Sequence, residues 1–259
     1  MSAIFARDGL TPVPNRAATD LADRSGRKPS DCLWRAMWQL LAIGPLCLAL
    51  PMLAHAADIP GRCQDTQITV ISADEAERAE VCAAVIEALP VLVRNGIAVN
   101  RPLTIELVAM LPRIVDEHAF AYFDARTDEI TVLDYRATLA AAQSTRSAFG
   151  LGMSRSLWRS YVVHELAHAA AASHFAPDVS TFTASEYIAA VVQLSVLPES
   201  IRAELLADYH GLAGFGEKAE ISATFYFIDP CAFAVKSYRH YLRPENGPGF
   251  IATLLQRGI

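Results

Sequence analysis

The chain has 259 residues, of which 53% are hydrophobic and 19% are charged, and its formal net charge at pH 7 is −6. This composition excludes a disordered or low-complexity protein, because such chains are poor in apolar residues and rich in charge. Only three of the 22 basic residues are lysines, and the basic residues form no cluster. We therefore expect no nucleic-acid partner and no binding to an anionic membrane surface.

The N-terminal region resembles a secretory leader. Leu40–Leu53 is a short uncharged apolar run with several basic residues before it, and the tripeptide Ala54–Ala56 follows it. A basic region, an apolar core and an A-x-A cleavage site are the three parts of a signal peptide. We predict an N-terminal extension with a signal peptide over 1–56 and a single domain over 57–259.

Localisation follows from this leader. The apolar core is shorter than the about 20 apolar residues that a membrane-spanning helix needs. We therefore expect export to the bacterial periplasm or the extracellular space, with no stable membrane insertion after cleavage. The alternative is an uncleaved leader that anchors the protein in the membrane.

Export would permit disulfide bonds. Three cysteines follow residue 56, namely Cys63, Cys82 and Cys231, so at least one of them stays unpaired. Cys63 with Cys82 is the more natural pair, because it would join the first strand region to the first helix. The alternative is that all three are small buried apolar residues.

The first half of the predicted domain contains strands around one long helix. Ser72 and Glu75 fit a capping box that begins a helix running to about Val93, and Asn95-Gly96 is a C-cap signal. The last two strands flank a short polar turn, which predicts a hairpin. The predicted strands are Gln67–Ile71, Leu103–Met110, Ala119–Phe123 and Glu129–Leu133.

The second half is mainly helical by its apolar periodicity. The segment 223–228 fits either a strand or part of a helix. Because strands precede a run of helices, we predict an α+β domain. The predicted helices are Ala137–Gln143, Ser156–Ala172, Ala184–Leu197, Pro198–Tyr209, Pro230–Tyr241 and Gly249–Gln256.

The residues most suited to metal binding and catalysis lie in the run His-Glu-Leu-Ala-His over residues 164–168, which is an HExxH motif. On a helix, His164 and His168 lie on one face about one turn apart, so the two imidazoles can share a metal ion. Glu165 lies beside that face and can act as a general base on water, as zinc hydrolysis requires. The alternative is a hydrogen-bonded pair of core histidines on an ordinary helix.

A catalytic zinc ion needs a third protein ligand, and His174 is one candidate. The spacing from His168 through Ala171 to His174 resembles the metzincin pattern HExxHxxGxxH, with alanine in place of glycine. Alanine is disfavoured in the sharp turn that this glycine permits. The last methionine is Met153, so no methionine follows the motif as metzincins require. His174 could instead be a histidine favoured by a helix C-terminus.

Glu186 is the other candidate for the third ligand. It follows His168 by eighteen residues and lies in a predicted second helix, which resembles the gluzincin arrangement of HExxH plus a downstream glutamate. The resemblance covers about Trp158–Ala190. Thr183 and Glu186 also fit a capping box, in which Glu186 would only bond the Thr183 N–H. Weaker candidates follow on the next predicted helix: Glu199, Glu204 and Asp208.

The resemblance to gluzincins, a branch of the zincin-fold zinc metallopeptidases, implies a fold and a function. The fold would be a small mixed sheet packed on the active-site helix, followed by a mainly helical C-terminal half. His164, His168 and Glu186 would bind Zn²⁺, and Glu165 would be the general base in cleavage of a peptide or protein substrate. The hairpin 119–133 would supply the edge strand that pairs with the extended peptide.

Such enzymes also use a tyrosine or histidine from the C-terminal half to stabilise the oxyanion. Tyr238 is the candidate for this role, with His240 and Tyr241 beside it and Tyr209-His210 as a further pair. The sequence thus predicts a secreted zinc metallopeptidase. The alternative is a catalytically inactive zincin-like protein that binds a partner.

Overall fold

The computed structural model describes residues 59–112, 119–144 and 148–259, which fold into five strands and eight α-helices. The predicted leader and its cleavage site lie outside these residues. No helix in the described ranges is both long enough and apolar enough to cross a membrane. The structure confirms the α+β class and the small mixed sheet.

The five strands form one mixed sheet in the order β1-β2-β3-β5-β4. Strands β2, β3 and β5 are parallel, whereas β1 and β4 are antiparallel to their neighbours and form the two edges. The predicted hairpin is therefore confirmed as β4 and β5. The strand bounds are Ile59–Arg62 for β1, Ile68–Ser72 for β2, Leu103–Val108 for β3, Ala121–Asp124 for β4 and Glu129–Leu133 for β5.

Strand β1 was not predicted from the sequence. It contains Pro60 and Gly61, and both residue types weaken a strand. Proline is tolerated on edge strands, and β1 is an edge that pairs only with β2 among the described strands. Pairing within the sheet therefore overrides the weak local preference.

The helices follow the predicted order, with one correction at a helix start. The N-cap of α1 is Asp74, whose Oδ1 accepts from the N–H groups of Ala76 and Glu77. The predicted Ser72–Glu75 capping box is therefore wrong, because the Ser72 hydroxyl accepts from the Asp74 N–H instead. The helices are α1 Glu75–Arg94, α2 Tyr135–Ser144, α3 Arg155–Ala172, α4 Phe182–Val196, α5 Glu199–Asp208, α6 Ala223–Ile228, α7 Pro230–Tyr241 and α8 Gly247–Arg257.

Helix α3 carries the HExxH motif and is buried between the sheet and the other helices. Ser154 caps it by accepting from the Leu157 N–H at 3.2 Å. The Trp158 indole N–H donates to the Leu133 carbonyl at the end of β5, at 2.9 Å. These contacts fix the start of α3 against the carboxyl end of the sheet.

A disulfide bond joins Cys63 to Cys82. It links the turn after β1 to the middle of α1 and confirms the predicted pair. Cys231 is free and partly buried. The cross-link therefore fastens the weak first strand to the helix that packs behind the sheet.

Candidate metal centre

Three side chains with metal-binding atoms meet between α3 and α4. His164 and His168 project from α3 and Glu186 projects from α4, with exposed fractions of 4%, 0% and 1%. The two Nε2 atoms are 3.1 Å apart, and Glu186 oxygens lie 3.5 Å from His164 Nε2 and 3.6 Å from His168 Nε2. All three ligand atoms lie within 4.8 Å of one another, so this buried group could hold a metal ion.

The packing of two antiparallel helices brings the glutamate to the histidines. His164, earlier in α3, faces Gln193 near the end of α4. His168, one turn later in α3, faces Ser185 and Glu186 near the start of α4. Helix α4 begins at Phe182 and has its N-cap at residue 181. The alternative capping box at residues 183–186 is therefore absent, and Glu186 faces the histidines from inside the helix.

A chain of hydrogen bonds fixes the tautomer of His164. The Ser160 hydroxyl donates to the Leu157 carbonyl at 2.7 Å, so its oxygen accepts from Gln193 Nε2 at 3.1 Å. Gln193 Oε1 then faces His164 Nδ1 at 3.0 Å and must accept its proton. The lone pair of His164 Nε2 is therefore directed at the centre.

His168 has a matching partner. Its Nδ1 lies 2.7 Å from the Ser185 hydroxyl, on the residue directly before Glu186. When Ser185 accepts the Nδ1 proton, His168 Nε2 is also an acceptor directed at the centre. Partners of this kind orient metal-binding imidazoles and set which nitrogen is free to bind.

The donor set fits a bound cation. Two imidazole nitrogens and a carboxylate converge at a site where all three residues are buried. Buried acceptors that face one another are costly unless a proton or a metal ion lies between them. Two histidines and one carboxylate are a common ligand set for a metal that keeps an open coordination position.

Without a metal ion, the two imidazoles and the Glu186 carboxylate shift one another's pKa values. Burial lowers the pKa of His164, but the hydrogen bond that the imidazole donates to Glu186 and the charges of Glu165 and Glu186 outweigh it, so the net pKa is raised. Burial raises the pKa of Glu186, but His168 and His164 outweigh it and the net pKa is lowered. Burial lowers the pKa of His168 to about 4. The shifts at His164 and Glu186 thus favour their charged forms, whereas the shift at His168 favours the neutral imidazole.

Glu165 lies beside this group and is 4% exposed. Burial raises its pKa to about 7, although the nearby His164 partly opposes the rise. Its Oε2 has no hydrogen-bond partner among the described residues, and a hydrogen bond from the Phe123 backbone lowers its pKa slightly. Glu165 thus has one free oxygen and a proton affinity suited to proton transfer near neutral pH.

The Phe123 N–H belongs to β4, which pairs only with β5 among the described strands. The Leu133 N–H donates to the Phe120 carbonyl, so residues 120, 122 and 124 make the ladder bonds to β5. The main-chain groups of Ala121 and Phe123 therefore point away from β5, on the side where Glu165 lies. As predicted, the hairpin brings an edge strand next to the motif helix.

The other predicted ligands lie elsewhere. His174 Nδ1 is 2.9 Å from the Ala170 carbonyl, and its Nε2 accepts from the Ala98 N–H at 3.2 Å. His174 therefore bonds the last turn of α3 and does not approach His164. Glu199, Glu204 and Asp208 are exposed on α5.

Tyr226, which no motif in the sequence indicated, lies within hydrogen-bonding reach of Glu186. It is 4% exposed on α6, and hydrogen bonding from its hydroxyl contributes to the lowered pKa of Glu186. Its segment could be read as a strand or a helix, so no face could be assigned to it. Tyr238 is buried on α7 with Arg202 and Tyr241 as its charged or titratable neighbours.

The centre is a buried His-His-Glu group held by two antiparallel helices beside a small mixed sheet. Comparison with protein families gives one assignment: the chain belongs to the family of unknown function DUF6639, whose model matches residues 68–259. The matched range includes both helices of the centre. No curated protein and no solved structure matches the chain.

Proposed function

We propose that the protein is a zinc-dependent hydrolase of peptide bonds with a zincin-like active site. The observation that carries this proposal is the buried group of His164, His168 and Glu186 with the free carboxylate oxygen of Glu165 beside it. Zinc supports the assignment because it favours nitrogen and carboxylate ligands in a four-coordinate site with one open position. When bound, zinc would polarise the scissile carbonyl and lower the pKa of water.

The chain's own groups would divide the remaining work. His164 Nε2, His168 Nε2 and a Glu186 oxygen would hold the ion, and Ser185 and Gln193 would keep the two imidazoles in the binding tautomer. Glu165 would take a proton from the attacking water at Oε2 and pass it to the leaving amine. A pKa of about 7 suits both transfers, since the group then gains and loses a proton readily near neutral pH.

The edge strand β4 would bind the substrate backbone. The main-chain groups of Ala121 and Phe123 face away from β5. Since the Phe123 N–H donates to Glu165, an extended peptide could add to the sheet there through the Ala121 N–H and the two carbonyls. Such a peptide would pass next to Glu165, whose carboxylate receives a hydrogen bond from the Phe123 backbone.

Tyr226 is better placed than Tyr238 to stabilise the oxyanion. The Tyr226 hydroxyl already influences Glu186, whereas the neighbours of Tyr238 are Arg202 and Tyr241. Tyr226→Phe would then lower kcat with little effect on zinc content. An unchanged kcat would remove Tyr226 from this role.

The cellular location is part of the proposal. A leader-like N-terminus and the disulfide between Cys63 and Cys82 both support export to an oxidising compartment. Peptides or proteins outside the cytoplasm would then be the substrates.

The test combines metal analysis with hydrolysis of a fluorogenic peptide library. We expect about one zinc ion per chain in the wild type and hydrolysis that Glu165→Gln abolishes while zinc stays bound. Loss of zinc in His164→Ala identifies the site. Bound zinc without any hydrolysis that depends on Glu165 would instead indicate an inactive zincin-like binding protein, and absence of bound zinc would refute the metal centre.

A further inference from the structure

An exposed apolar surface lies at the end of α6. The side chains of Phe227 and Ile228 are 66% and 75% exposed. Helix α6 contains no charged residue. Two adjacent large apolar side chains in water are unfavourable unless they bind something. Together with Phe182 we call them the apolar ledge.

The ledge is held in shape by ring contacts. The rings of Phe227 and Phe182 stack at 5.3 Å with an interplanar angle of 16°. Phe182 also meets Tyr226 edge to face at 5.4 Å. Such contacts orient aromatic rings and limit their motion, so the ledge is a preformed surface.

The ledge borders the metal centre. Phe182 is the first residue of α4 and precedes Glu186 by four positions. Residues four apart lie on the same face of a helix, about 6 Å along its axis. Tyr226, which contacts Phe182, is also directly followed by Phe227 in α6. Phe182, on which Phe227 stacks, is therefore about one helical turn from a ligand of the proposed zinc ion.

We propose that the apolar ledge binds a large apolar side chain of the substrate, on the residue next to the bond that is cleaved. The preferred substrates are thus peptides with a leucine- or phenylalanine-like residue at that position. This inference rests on the proposed peptidase function and specifies its substrate class. Helix α6 has no charged residue, so the ledge suits an apolar group. Because Phe182 lies near Glu186, we assign this group to a side chain of the same peptide that β4 binds.

The experiment compares two peptides that differ by phenylalanine against alanine beside the cleaved bond, which mass spectrometry of the products identifies. We expect the wild type to prefer the phenylalanine peptide by about 10- to 100-fold in kcat/KM, the range for burying one large apolar side chain. Phe227→Ala should reduce this ratio at least fivefold. A ratio of two kcat/KM values does not depend on the folded fraction, so reduced stability of the variant does not affect the result.

Val93→Ala is the matched control, because Val93 is 63% exposed at the end of α1 and lies outside the ledge. It should keep the wild-type ratio. An unchanged ratio in both Phe227→Ala and Ile228→Ser would overturn the ledge as a specificity surface. Binding to phosphatidylcholine vesicles is measured as well. If the vesicles bind the wild type but not Phe227→Ala, and the peptide preference is unchanged, the ledge is a membrane-binding surface and the proposal is overturned.

Failure of the underlying function gives a different result. If no hydrolysis depends on Glu165, the same two peptides are labelled and their binding to the zinc-treated protein is measured by fluorescence anisotropy. If the wild type binds the phenylalanine peptide more tightly and Phe227→Ala abolishes this preference, the ledge is supported as a binding surface even though the enzyme assignment fails. Equal binding of the two peptides would overturn it.

Discussion

Replacement of Glu186 by glutamine separates its role as a ligand from its role in the fold. Glutamine keeps the shape of the side chain and removes its charge. A Glu186 oxygen lies 3.5 Å from His164 Nε2, and the charge of Glu186 helps to raise the pKa of His164. A proton held on His164 can therefore be released when the carboxylate is gone. No uncompensated charge is left buried, so Glu186→Gln should lower the free energy of unfolding by less than about 2 kcal/mol.

The response to zinc should change far more. Free zinc at about 100 times its Kd stabilises the wild type by about 2.7 kcal/mol. For a domain of about 200 residues, this raises Tm by about 5–11 °C. A 100-fold weaker site would gain only about 0.4 kcal/mol at the same free zinc, which is about 1–2 °C.

Differential scanning fluorimetry of chelator-treated protein, with and without added zinc, measures this difference. Glu204→Gln is the matched control, because Glu204 is an exposed carboxylate on α5 that was a weaker candidate ligand. It should show the full wild-type shift. A full shift in Glu186→Gln would remove this residue from the ligand set, and a wild type that does not respond to zinc would refute the metal centre.

Three further predictions concern the cross-link and the surroundings of the centre. Replacing Cys63 and Cys82 together by serine opens a cross-link with a sequence separation of 19, which should cost about 3 kcal/mol of unfolding free energy; an unchanged urea midpoint would contradict this. The pKa of His164 is raised, and below that pKa a proton competes for Nε2. Zinc affinity should therefore fall about tenfold per pH unit as the pH drops through this pKa and level off above it, as titration against a chromophoric chelator would show; a flat profile would exclude proton competition. Gln193→Leu removes the partner of His164 Nδ1 at 3.0 Å and should weaken zinc binding by about 10- to 100-fold; the same chelator competition measures it, and unchanged affinity would mean that Gln193 does not orient the ligand.

The sequence by itself determined most of the secondary structure and two of the three candidate metal ligands. The spacing of His164 and His168 on a helix places both rings on one face whatever surrounds that helix. The hairpin was readable because a polar turn separates two short runs rich in apolar and β-branched residues. These features depend on contacts between residues that are close in the chain.

Some local features were decided by competition between neighbours. Ser72 and Asp74 are both good capping residues, and in the structure Asp74 is the cap of α1 while the Ser72 hydroxyl accepts from the Asp74 N–H. Residues 223–228 had no clear period. Packing against Phe182 and Phe233 made them a helix, with Tyr226 on its buried side.

The third candidate ligand depended on tertiary structure. Local sequence allowed His174 as a ligand and also allowed Glu186 as a capping residue. Antiparallel packing of α4 on α3 directs Glu186 to His164 and His168, whereas the end of α3 directs His174 to the Ala170 carbonyl. Contacts between residues distant in the chain decide such choices, because each candidate alone satisfies its local rules.

The same reason applies to the groups that tune and surround the centre. Gln193 and Ser160 are 33 residues apart, and neither resembles part of a motif, yet together they set the tautomer of His164. Length, composition and motif spacing thus determined the class of fold and the chemistry of the motif helix. Only the packing of the helices decided which carboxylate meets the histidines, which tyrosine lies beside it and where an apolar surface borders the centre.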